Sequence, residues 1–179
     1  MAACATGGQT LHTFAGCGLP DVVEDLDKIW KQQYRRKWRK LKVLLVDEVS
    51  VLSREVLDHL SSKVDHVQNY EQKTPNKSSG KAFGGIQLIF CGDIHQLPPM
   101  TPRKKKDEYH DDSDDDTKKR SEYEIVRNRG FAFESQVCRQ SLFEMVELTQ
   151  VYRQKGKEKF VRVLNNIRAG NCSKEDSFF

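Results

Sequence analysis

The chain has 179 residues, 37% of them hydrophobic and 31% charged, with a net charge of +4. That length suits one domain, and no apolar run reaches the roughly 20 residues that a membrane-spanning helix needs. Five scattered cysteines without a C-x-x-C pair (Cys4, Cys17, Cys91, Cys138, Cys172) argue against a disulfide framework or a zinc site and read as reduced intracellular thiols. Ala2–Gly8 lacks the basic start and long apolar centre of a signal peptide.

In chain order, Thr6–Gly18 (TGGQTLHTFAGCG) is a Gly-bounded segment carrying three short polar donors, Thr10, His12 and Thr13. On spacing alone, His12 reads as a surface or capping histidine. Asp21–Lys40 predicts an amphipathic helix. Val22, Leu26, Ile29, Trp30, Tyr34, Trp38 and Leu41 form its apolar stripe, and Lys28, Lys31, Arg35, Arg36, Arg39 and Lys40 its basic face. The aromatic residues read as core packing. The basic face suits either solvent or a DNA backbone.

Val43–Val46 is a short apolar run with the composition of a buried parallel strand, and it ends in Asp47-Glu48. A hydrophobic strand ending in Asp-Glu is the Walker B arrangement of nucleoside triphosphatases. There the Asp holds Mg²⁺ and the Glu orients and deprotonates the attacking water. The plainer reading of the pair is an acidic first turn for a helix that starts near Ser53. Ser53–Val67 predicts that helix, with Ser53 as N-cap and Leu52, Val56, Leu57, Leu60 and Val64 as its stripe.

Lys73–Lys81 reads as a polar loop. Ile86–Phe90 is the second apolar run, and GDIHQLPP follows it. In open α/β sheets, ligands bind at the carboxyl ends of strands, so Gln96 arrives where a γ-phosphate or its attacking water would sit. Thr101–Ser121 alternates blocks of charge (Arg103–Lys106, Asp111–Asp116, Lys118–Arg120), with Tyr109 its one apolar residue. It predicts a disordered or mobile insertion. Beyond it, Phe131–Phe133 suggests a short strand or turn, Val137–Phe143 a helix and Val146–Thr149 a last short strand. Arg153 follows that strand, and Phe160–Ala169 suggests an amphipathic helix.

LLVDEVSVLS, FGGIQLIFCGDIHQLPP and ELTQVYRQ, in this order, resemble motifs II, III and IV of the petite-integration-frequency (PIF-one) DNA helicases, and TGGQTLHTFAGCG resembles their motif Ia. DHLSSKVDHV leading to FGGIQL resembles the signature that separates this family from its RecD-type relatives. The resemblance runs from Thr6 to about Gly170, outside the insertion. It implies a RecA-like α/β fold, with a mainly parallel sheet and helices on both faces, that belongs to an ATP-dependent 5′-to-3′ DNA helicase of superfamily 1B. It also implies ATP and single-stranded DNA as partners and Mg²⁺ as cofactor. Asp47 would hold the metal. Glu48, Gln96 and Arg153 would act at the γ-phosphate, and Thr10, His12 and Thr13 at the DNA.

The family's G-x-x-x-x-G-K-[ST] phosphate loop has no counterpart among the 179 residues. Residues 1–179 are therefore expected to form part of the first RecA-like motor domain, without the strand that precedes the loop and without the second motor domain. The sheet edge beside Val43 would then be exposed. The alternative to an active helicase is an inactive helicase fragment that at most binds nucleic acid or a partner. An intracellular location is expected, nuclear or mitochondrial in a eukaryote.

Overall fold

A computed structural model describes residues 7–18, 20, 23–70, 78–99, 130–171 and 173. The charged run 101–121 lies outside them. The chain forms two compact units, Met1–Leu142 and Phe143–Phe179.

The first unit opens with a short helix, α1 (Leu11–Ala15), capped by Thr10. A 3₁₀ segment, Val23–Trp30, and α2 (Gln32–Lys40) follow it. The single helix expected over Asp21–Lys40 is thus broken at Lys31, whose ψ is 136°. A continuous α-helix would turn Trp38 about 120° away from Leu26 around its axis. The break lets Leu26, Ile29 and Trp38 all be buried. Trp38 has no exposed surface and meets Phe14 edge-on at 4.8 Å and Phe83 at 6.1 Å. Of the aromatic stripe, Trp38 is core as its spacing suggests, Trp30 packs against the core half-buried, and Tyr34 is half-buried outside it.

Strand β1 (Val43–Val46) pairs in parallel with β2 (Gln87–Phe90), with Val43 opposite Gln87 and Val46 opposite Phe90. Side chains alternate across such a pair. Leu44 and Val46 join the core, with Leu88 and Phe90 packed beside them. The other face carries Val43, Leu45, Gln87 and Ile89, all exposed. Helix α3 (Arg54–Asn69) lies between the strands in sequence, and Ser53 caps it by accepting the Val56 N–H at 3.3 Å. Its stripe of Val56, Leu57, Leu60, Val64 and Val67 is buried.

The turn before β2 is a 3₁₀ segment, Ala82–Gly85, held against α3. Phe83 is fully buried at φ 50°, a costly backbone conformation for a bulky residue. Its N–H donates to the Ser61 hydroxyl at 2.9 Å, and its ring is packed in the core. Gly84 abuts α3 so closely that a Cβ would come within 2.8 Å of Gln68 and 3.2 Å of the Asp65 Cα. Burial of Phe83 therefore holds a conformation that propensity disfavours. The stretch from DHLSSKVDHV to FGGIQL, singled out by its resemblance, folds as the docking of this turn on α3.

Residues 130–142 return to the start of α3. Phe131 bridges Ser53, and the Arg54 N–H donates to the Gly130 carbonyl at 3.1 Å. After the 3₁₀ turn Ala132–Glu134 comes α4 (Gln136–Gln140), capped by Ser135. The Asp58 carboxylate of α3 accepts the Gln136 and Val137 N–H groups, each at 3.0 Å. These are donors that a helix start leaves open.

Among the described residues of the second unit the one regular element is α5 (Glu158–Arg168), which contains the apolar pattern expected over Phe160–Ala169. The strand expected at Val146–Thr149 does not form, since residues 142–150 have no regular secondary structure. Val146 and Leu148 are 76% and 90% exposed. A strand exists through its ladder partners, and among the described residues none pairs with this segment.

Candidate functional site

Parallel pairing brings the carboxyl ends of β1 and β2 to one end of the sheet. The ladder continues beyond the strands. The Cys91 N–H donates to the Val46 carbonyl at 2.8 Å, and the Val49 N–H donates to the Cys91 carbonyl at 2.9 Å. Gly92 then lies on the Glu48–Val49 peptide, where a Cβ would meet the Val49 nitrogen at 2.9 Å and its Cγ1 at 3.1 Å. Only glycine allows that approach. The loops carrying Asp47-Glu48 and Asp93–Gln96 are therefore tied together by their backbones.

Asp47 is exposed, and its Oδ1 accepts the Glu48 N–H at 3.0 Å. Glu48 is also exposed and takes φ 53° and ψ 45°, the left-handed region that non-glycine residues rarely adopt. Such strain concentrates at functional positions. The Glu48 carboxylate makes no hydrogen bond or ion pair with a described residue. Downstream, the Asp93 carboxylate organises a turn. Its Oδ1 accepts the His95 N–H at 3.0 Å and its Oδ2 the Gln96 side-chain amide at 3.3 Å. The sequence places Asp93 at the polar exit of the second strand without giving it a role, and its place in the turn appears only with the fold. A side chain followed by two N–H groups in a Gly-Asp-x-x-Gln spacing was the available signal.

The segment carrying Thr10, His12 and Thr13 belongs to the same unit. Thr10 Oγ1 accepts the Thr13 N–H at 3.2 Å, and the Thr10 hydroxyl donates to Thr13 Oγ1 at 2.7 Å. The Thr13 hydroxyl keeps its own proton to donate outward. His12 is half-buried, and burial lowers its pKa below the ordinary imidazole value. Its backbone carbonyl closes the helix end by accepting from Gly16 and Cys17. Arg153 belongs to the second unit, exposed in the turn 153–156 before α5.

A Mg²⁺ ion of a nucleotide site is held by one or two carboxylates, with the substrate's phosphates and water filling the rest of its octahedron. One exposed carboxylate with an uncommitted Oδ2 fits that donor set, and Asp47 provides it. Among the described residues no group of three or more His, Cys, Asp or Glu could by itself hold a metal.

The family model described as PIF1-like helicase matches residues 1–177. The chain is 37% identical to the ATP-dependent DNA helicase PIF1 of Saccharomyces cerevisiae, over 98% of this chain and 17% of that protein. The crystal structure of Pif1 helicase from Candida albicans superposes with a TM-score of 0.69 at 32% identity, over 98% of this chain and 33% of that one. A Bacteroides Pif1 helicase in complex with ADP-AlF3 and ssDNA matches with a TM-score of 0.69 at 30% identity, over 98% of this chain and 36% of that one. The chain thus spans a minor part of each relative's length, and its parallel α/β unit is RecA-like. The motifs, the parallel strand ends and these matches agree: the chain belongs to the PIF1-like helicase family.

Proposed function

We propose that this chain supplies part of the first motor domain of an ATP-dependent DNA helicase that couples ATP hydrolysis to 5′-to-3′ unwinding. One observation carries the reading. Glu48 and the Asp93–Gln96 turn sit at one end of a parallel strand pair, with their loops joined by the Val49–Cys91 hydrogen bond and the Gly92 contact.

Glu48, strained and unpaired with any described residue, accepts the proton of the attacking water. Gln96 orients that water. Asp93 holds its amide nitrogen, which leaves its carbonyl oxygen to accept a water proton. Asp47 would hold Mg²⁺, and the bound ion would supply positive charge at the β- and γ-phosphates. Arg153 contributes positive charge to the γ-phosphate. Thr10, His12 and Thr13 contact the backbone of single-stranded DNA. The Bacteroides relative solved with ADP-AlF3 and ssDNA supports both partners.

The test is Glu48→Gln in the full-length protein. Turnover should fall by a factor of about 10² or more while ATP binding is largely kept, because the proton acceptor is lost and the metal ligand Asp47 stays. Undiminished DNA-stimulated phosphate release would remove Glu48 from this role.

A further inference from the structure

We propose that the outer face of α2, formed by Arg36, Lys37 and Lys40, is a docking surface for the phosphate backbone of the DNA strand that crosses the α1 segment. The inference rests on the helicase reading and extends its DNA track to residues that none of the motifs includes.

Helix α2 (QQYRRKWRK) has five basic residues and no acidic one. Trp38 is its buried anchor. Arg36 and Lys40, one turn apart, and Lys37 beside them are exposed on the side away from that anchor. Elsewhere in this unit, Lys28 pairs with Asp25, Lys63 with Asp27 and Arg54 with Glu55. Arg36, Lys37 and Lys40 form no ion pair or hydrogen bond with a described residue.

This concentration carries an energetic cost. Like charges at i and i+4, such as Arg36 and Lys40, destabilise a helix by about 0.2–0.5 kcal/mol. The helix dipole favours cations in the last turn by about 0.3–1 kcal/mol each, which accounts for Lys37, Arg39 and Lys40. Arg35 lies over the Tyr70 ring, 5.3 Å from its centre. The dipole does not account for Arg36 in the first half, nor for exposed Lys31 and Lys42 on either side. A polyanionic partner accounts for all of them.

Position selects the partner. The Tyr34 ring lies on Gly16, where a Cβ would come within 2.4 Å of it, and Lys37 Nζ sits 5.8 Å from the centre of that ring. Lys37, at the edge of the basic face nearest Tyr34, therefore borders the segment that carries Thr10, His12 and Thr13, and Lys40 and Arg36 follow it round the helix, away from Trp38 and its partner Phe14. The basic face does not serve the nucleotide. Lys40 precedes β1 at its entry end, and Asp47 follows at its exit, about 13 Å along four strand residues. That distance exceeds the roughly 8–10 Å over which exposed charges act at physiological salt.

The experiment uses the full-length protein with Arg36→Ala, Lys37→Ala and Lys40→Ala combined. Alanine is the best helix former, so the melting temperature should be kept, as should ATP hydrolysis measured without DNA. Binding to a fluorescent oligo-dT is read across a salt series. For single strands, each phosphate contact adds about 0.7 to the slope of log affinity against log salt. The triple variant should lose about 1.4–2 from that slope and about tenfold or more in affinity at 0.1 M salt. A charge-retaining variant (Arg36→Lys, Lys37→Arg, Lys40→Arg) should restore both. Unchanged slope and affinity in the triple variant overturn this proposal alone. A full-length wild-type protein that binds no single-stranded DNA overturns the helicase reading with it.

Discussion

Asp65 of α3 holds Ser79 by both its backbone and its side chain. The Ser79 N–H donates to Oδ2 at 3.0 Å and Oδ1 at 3.2 Å, and its hydroxyl donates to Oδ1 at 2.6 Å. The Ser78 hydroxyl and the Asn69 amide complete the set at 2.5 and 2.7 Å. Asp65 is 4% exposed, and its carboxylate partners among the described residues are all neutral donors. It fixes the loop that leads into Phe83 and β2.

Asp65→Asn keeps the shape but replaces an acceptor oxygen by a donor. Buried donors lose their partner, and hydrogen bonds to a charged group are the stronger kind. The free energy of unfolding should fall by about 2–4 kcal/mol in chemical denaturation. Wild-type stability in this variant would mean that the loop is held by something other than the carboxylate.

Gly92→Ala tests the coupling of the two loops. The added methyl meets the Val49 backbone nitrogen at 2.9 Å, a contact that cannot be relieved by turning a side chain. The backbone at Glu48–Val49 must shift. Such overpacking costs about 1–3 kcal/mol of stability, and displacement of Glu48 should reduce ATP turnover in the full-length protein by about 10²-fold. Normal turnover with normal stability would show that the Gly92 contact does not position Glu48.

Acid should destabilise the first unit through two histidines. Burial lowers the pKa of both His12 and His59. For His59 the neighbouring Lys63 adds to the shift, and the carboxylates of Asp58 and Glu55 oppose it. The folded imidazoles therefore release their protons more readily than the unfolded ones. Above the unfolded value of about 6.5 both states are neutral and stability is complete. As pH falls below 6.5 the unfolded state takes up more protons, and stability declines until the folded groups also titrate. Melting temperature should drop between pH 7 and 5, and His12→Gln with His59→Gln should flatten the drop. An equal drop in the double variant would assign the effect to other groups.

Much of this protein was legible in its sequence where local chemistry is strong. Two short apolar runs with polar exits named the strands, their parallel pairing and the shared end of the sheet. Ser53 announced α3 because an N-cap needs only its own next turn. The family motifs carried the identification, since Asp47, Glu48 and Gln96 stand at fixed offsets from strands that can be read directly. Tertiary structure alone decided the rest. Periodicity could not foresee the break at Lys31, because it depends on Leu26 and Trp38 sharing one core. Nor could it foresee that Val146–Thr149 stays outside any sheet, because a strand needs a partner and the pattern reports only the capacity to pair. The left-handed backbones of Glu48 and Phe83, the seat of Gly92 on Val49 and the saturation of Asp65 follow from contacts between segments far apart in the chain. No local propensity encodes those contacts.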